Sequence, residues 1–113
     1  MKIVDSISLA ELQQMAVRMY GSLVKADVDI AKKSVIIDME MHADGEAELL
    51  ETGSKQEDLW GINLYPEKFG TPEFIEFDSM INLKPRQNNM NRGVDDPTIR
   101  EKIIEIIGGV VHE

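Results

Sequence analysis

The 113-residue chain has room for one hydrophobic core and no second one, so residues 1–113 are expected to form a single domain. Its 42% apolar and 29% charged content excludes a disordered chain, and its apolar runs are too short for a membrane partner. A net charge of −9 opposes nucleic acid as a partner, and the lack of cysteine excludes disulfides, thiolate metal sites and cysteine nucleophiles.

The chain opens on Met1-Lys2-Ile3-Val4-Asp5, with an acid where a signal peptide would stay apolar, so the expected compartment is the cytoplasm. Ser8-Leu9-Ala10-Glu11 is a capping box, flanked by Ile7 and Leu12 at the two staple positions. Helical spacing follows through Leu9, Leu12, Ala16, Met19 and Tyr20, and Gly21 supplies a left-handed stop. Val24, Ala26, Val28 and Ile30 then alternate with polar residues, as do Val35, Ile37, Met39 and Met41. A turn at Lys32-Lys33 would pair Val28 with Ile37 and Ala26 with Met39, placing both apolar rows on one face.

Asp44 is expected to cap a second helix from Gly45 to Thr52, and Ser54-Lys55-Gln56-Glu57 repeats the capping-box pattern. Leu59 to Tyr65 predicts a strand with Trp60, Ile62 and Leu64 on one side. Two prolines and a glycine between Pro66 and Glu73 predict a loop, and Phe74 to Leu83 predicts a fourth strand. Lys84 to Asp95 is polar and irregular. Asp96-Pro97 opens a last helix with the stripe Ile99, Ile103, Ile106, Ile107 and Val110, ending near Gly108-Gly109. The order α-β-β-α-β-β-α predicts an α+β fold: a four-stranded, mainly antiparallel sheet with helices packed on one face.

Three constellations could carry chemistry. In the expected register Asp27 stands opposite Asp38, with Glu40 and His42 along the same face. Clustered carboxylates suit Mg or Mn, although a solvated hairpin face presents the same pattern. The second is the block from Ser54 to Asn63, where Trp60 and Asn63 lie on opposite sides of a strand interrupted by Gly61. The third is the run from Asn82 to Arg92. Within it Lys84, Arg86 and Arg92 occur without an acid, beside the amides of Asn82, Gln87 and Asn91. This cationic loop leads to a helix N-terminus and is the best candidate for binding an anion, displaced from the helix end because Asp95 and Asp96 stand there. Its asparagines would equally serve the turns of a surface loop. No phosphate-binding glycine loop, paired-histidine metal motif or nucleophile elbow is present, and no cofactor is evident beyond the Mg or Mn that the acidic row could hold.

His42-Ala43-Asp44-Gly45-Glu46-Ala47, Gly53-Ser54-Lys55-Gln56-Glu57-Asp58-Leu59-Trp60-Gly61-Ile62-Asn63-Leu64-Tyr65-Pro66 and Ile75-Glu76-Phe77-Asp78-Ser79-Met80-Ile81-Asn82 lie in order along the chain. Together they resemble an uncharacterised prokaryotic family, domain of unknown function number 5674, over nearly the whole chain. The resemblance implies no activity. The family's next segment usually reads Asn-Ile-Arg-Pro-x-Gln-Gly-Asn-Arg-Ser, whereas here Lys84 replaces an arginine, Arg86 is extra, Asn88 replaces a glycine and Met90 replaces an arginine.

The function expected from the residues is a binding or interaction module, homo-oligomeric through unpaired sheet edges. The alternative is a metal-dependent hydrolase or nuclease using Asp27, Asp38 and Glu40, with His42 as a further ligand.

Overall fold

A computed structural model describes all 113 residues. Helix α1 (Leu9–Met19) begins where the capping box places it: the Glu11 amide donates to Ser8 Oγ at 3.2 Å, and the Ser8 hydroxyl donates to the Glu11 carboxylate at 3.3 Å. Helix α3 (Pro97–Val110) starts on Asp96, whose carboxylate accepts the Thr98 amide at 2.8 Å. It runs through Gly108 and Gly109 and ends at Val110, so the glycines do not terminate it. Helix α2 (His42–Glu51) begins two residues before the expected Asp44 cap, with no side chain capping it.

The fold class is α+β, and the main sheet has five antiparallel strands. They run β1 (Lys2–Val4), β4 (Ser34–Ile37), β3 (Val24–Asp29), β5 (Leu59–Leu64) and β6 (Ile75–Glu76) across the sheet. The added strand is β1, which pairs with β4 at one edge. The other edge is far shorter than Phe74 to Leu83, because the chain leaves the sheet after Glu76. A separate parallel pair, β2 (Ile7–Ser8) with β7 (Val111–His112), ties the start of α1 to the end of α3.

The β3–β4 register differs from the expected one by two residues: Val28 faces Val35, and Ala26 faces Ile37. Asp29 causes the slip. Its carboxylate accepts the Ala31 and Lys32 amides, both at 2.9 Å, which fixes a four-residue turn ahead of Ser34. Because side chains alternate with period two, the apolar rows keep their face. The slip puts Asp27 opposite Ile36 and Ile37, in place of Met39, opposite Ala26, and Asp38 takes a left-handed φ of 69° just past the end of β4.

Val24, Ala26, Val28, Val35, Ile37, Trp60, Ile62 and Leu64 form one face of the sheet. They pack with Leu12, Met15 and Ala16 of α1 and Ile103, Ile107 and Val110 of α3. Helix α2 lies on the other face, where Leu49 meets Ile36, Met39 and Leu59, so the helices are divided between two faces. Gly45 permits this close approach, since a Cβ there would collide with the Asp27 carboxylate and the end of Met39.

Candidate functional site

Strand β6 covers only Asn63 and Leu64 of β5, leaving the start of that strand without a partner on its outer edge. The segment from Phe77 to Asp95 folds against the gap, and Asn82 takes the place of a strand. Its side-chain carbonyl accepts the Gly61 amide at 2.8 Å, while its NH2 group donates to the Gly61 carbonyl at 3.0 Å and the Arg92 carbonyl at 2.9 Å. Gly61 is needed here because a Cβ would stand 2.5 Å from the Ser79 hydroxyl. Asn89 organises the rest: its NH2 group donates to the carbonyls of Asn82 and Gly93, both at 2.7 Å, and its carbonyl accepts the Asp95 amide at 2.9 Å.

Between these asparagines, Lys84 and Asn89 exchange backbone hydrogen bonds across a tight loop. The loop consists of a 3₁₀ turn (Pro85–Gln87) followed by Asn88 in the left-handed conformation. Lys84 folds inward. Its ammonium donates to the Gln56 carbonyl at 2.7 Å and lies 5.2 Å from the centroid of the Trp60 ring. Desolvation pulls its pKa below the ordinary lysine value, against the pull of Glu46 and Asp58. Gln87 donates to the Glu57 carbonyl at 3.1 Å, joining the loop to a 3₁₀ turn at Gln56–Asp58.

These contacts leave a hollow of about 820 Å³ between Lys55, Gln56 and Glu57 on one wall and Leu83 to Gln87 on the other. Lys55 and Arg86 are exposed at its rim and Lys84 is buried at its base. None of the three forms an ion pair, since the chain's pairs are Lys2–Glu11, Arg18–Asp38 and Arg92–Asp78. Glu57 is the sole acid in the lining.

Of the expected ligand residues, Lys84, Arg86 and Gln87 share this hollow, with Trp60 beneath Lys84. The others are committed elsewhere. The Arg92 guanidinium holds the Asp78 carboxylate at 2.7 Å, and Asn91 donates to Asp95 at 2.9 Å. Asn63 is buried and donates to Glu76 at 2.9 Å, and Asn82 is spent on Gly61. No residue of the α3 N-terminus lines the hollow. Lys55 and Gln56 are new members of the site. Their signal was the Ser54 to Asn63 block, where the capping-box pattern pointed to a helix start instead. Ser54 does not cap that turn; it donates to Asp29 at 2.6 Å.

The acidic constellation does not assemble. Asp38 reaches Arg18 at 3.6 Å, Glu40 is exposed with its carbonyl bonded by the Tyr20 hydroxyl, and His42 is buried with Nε2 donating to the Ile62 carbonyl at 2.8 Å. Burial lowers the His42 pKa, and its bond to Ile62 only partly offsets this. Asp27 is fully buried, and neither carboxylate oxygen has a hydrogen-bond partner. Burial first, then the charge of Glu46, pushes its pKa to about 8; the nearby Glu46 amide and Lys25 temper the shift. No group of three or more histidine, aspartate or glutamate side chains is placed to hold a metal ion. No helix is long and apolar enough to cross a membrane.

The model of a family described as protein of unknown function (DUF5674) matches residues 1–110. No curated protein and no solved structure matches the chain.

Proposed function

The chain belongs to the DUF5674 family, whose description carries no activity, and we propose from its geometry that it is a binding module for an anionic small molecule. The site is the hollow between Lys55–Glu57 and Leu83–Gln87. One observation carries the proposal: Lys55, Lys84 and Arg86 converge on one open hollow without a carboxylate partner, in a chain with 21 acids and 12 lysines and arginines. In so acidic a protein, cations left unpaired around a concave surface create a local field opposite to that of the whole. Arg86 offers a planar fork for a phosphate or carboxylate group, Lys55 supplies a mobile point charge, and Lys84 contributes fixed positive charge from below. Glu57 faces the same space, and its carboxylate favours ligands that carry a cation beside the anion.

A thermal-shift and calorimetric panel of phosphate, sulfate and nucleotides tests this on the parent and on a Lys55→Ala/Arg86→Ala double variant. Both side chains are exposed, so the variant keeps the fold; Lys84 and Arg92 hold structural contacts and are poor choices. Saturable binding by the parent that the variant loses supports the site. A parent that answers none of these anions removes it.

In the same proposal the protein acts in the cytoplasm, as its lack of cysteine suggests. It also self-associates through β1, whose outer edge is unpaired and carries the exposed Ile3. Light scattering that gives only monomer at high concentration would remove the second clause.

A further inference from the structure

A second hollow, of about 410 Å³, separates α3 from the segment between Phe69 and Phe77. This volume falls within the range of small-molecule sites. The Phe69 and Phe74 rings, packed edge to face with centroids 5.2 Å apart, support one wall. The other wall is a stripe of α3. Arg100, Ile104, Ile107 and Gly108 recur at the spacing that puts residues on one helix face.

Two features of this stripe shape the hollow. Gly108 lies in the last turn of α3 with an ordinary helical backbone, and a Cβ added there would meet nothing within 4 Å. Glycine in a helix costs stability relative to alanine, and no turn, close approach or positive φ requires it here. What the missing side chain provides is space in the hollow. The second feature is Arg100. Its guanidinium lies 4.7 Å from the centroid of the Phe77 ring, so the aromatic face orients it at the hollow. No carboxylate pairs with it. Asp96 stands four residues earlier on the same helix, but its carboxylate caps the Thr98 amide.

An apolar chamber with one oriented, unpaired cation selects for a definite chemistry. A wholly polar anion would gain nothing from the phenylalanine and isoleucine walls. A neutral apolar molecule would leave the guanidinium unmatched. We infer that this hollow binds an amphipathic monocarboxylic acid, with its aryl or medium-chain alkyl body between the Phe69–Phe77 segment and α3 and its carboxylate on Arg100. Ile104, 50% exposed in the free protein, is covered by the bound body. The site is distinct from the cationic hollow, with which it shares no lining residue.

The experiment is an amide NMR titration with octanoate and phenylacetate, using octanol and 2-phenylethanol as neutral counterparts. Saturable shifts are expected at Phe69 to Phe77 and Arg100 to Val111. Arg100→Gln should weaken both acids about tenfold or more, the typical scale of a charge-assisted hydrogen bond, and leave the alcohols unchanged. Gly108→Leu, which fills the hollow, should lose acids and alcohols alike, while Gly108→Ala keeps part of the binding. The Lys55→Ala/Arg86→Ala variant should bind octanoate as the parent does, so failure of the cationic site leaves this one standing. Absence of saturable shifts in the parent, equal losses of acids and alcohols in Arg100→Gln, or full octanoate binding by a folded Gly108→Leu protein each overturns the inference. Should Gly108→Leu fail to fold, the Arg100→Gln comparison decides.

Discussion

Replacing Asp27 with Asn should make the protein less sensitive to alkaline pH. The Asp27 carboxyl is fully buried, lacks hydrogen-bond partners and has a pKa raised from 3.8 to about 8. A native pKa above the unfolded value stabilises the fold fully only below the lower pKa, and that stability drains away as pH rises through the upper one. A shift of about four units, at 1.36 kcal/mol per unit, sets an upper limit of roughly 6 kcal/mol lost between acid and alkali. Asparagine keeps the shape of the protonated carboxyl and cannot ionise. Its amide meets the same lack of partners, a cost of about 1–3 kcal/mol that does not vary with pH. The variant should therefore be close to the parent near about pH 5 and more stable by about 3 kcal/mol above about pH 8. Urea denaturation across this range measures the difference directly. Parallel stability profiles for parent and variant would refute the reasoning, because they would mean that Asp27 ionises in the native state as easily as in the unfolded chain.

His42 works in the opposite direction: its lowered pKa makes stability fall as pH drops through the unfolded value of 6.5, so His42→Gln should flatten the acid side of the profile in urea titrations. Asn82→Ala strips both Gly61 backbone groups of their partner and should cost about 3 kcal/mol by chemical denaturation. Gly108→Ala, which adds a methyl group in open space, should stabilise α3 by about 0.5–1 kcal/mol, read as a rise in melting temperature.

What the sequence disclosed depended on how far apart the interacting groups lie. Ser8 with Glu11 and Asp96 with Thr98 are local pairs, so both capped helices could be read from spacing alone. The core faces of β3, β4 and β5 were legible because period-two alternation survives a two-residue slip. The slip itself depended on Asp29 bonding the turn amides, and the loss of the Asp27–Asp38 pair on that slip. Neither leaves a periodic signature. β1 and β7 are too short to show one.

The cationic character of the 84–92 run was plain, but its division of labour was not. Lys84 is buried on Trp60, Arg92 is paired with Asp78, and Asn82 bonds Gly61 across 21 residues, so three candidate ligands serve the loop itself. Lys55 entered the site because Gln87 and Lys84 reach the Gln56–Asp58 turn, contacts that only the folded chain reveals.

The most direct test of the cationic hollow is an amide NMR titration of the parent with inorganic phosphate and a nucleoside triphosphate. The proposed function predicts saturable shifts concentrated at Lys55 to Glu57 and Leu83 to Gln87, weakening as salt is added because the attraction is between charges. Silence of those amides, or shifts gathered instead at Asp96 to Ile99 on the end of α3, would contradict it.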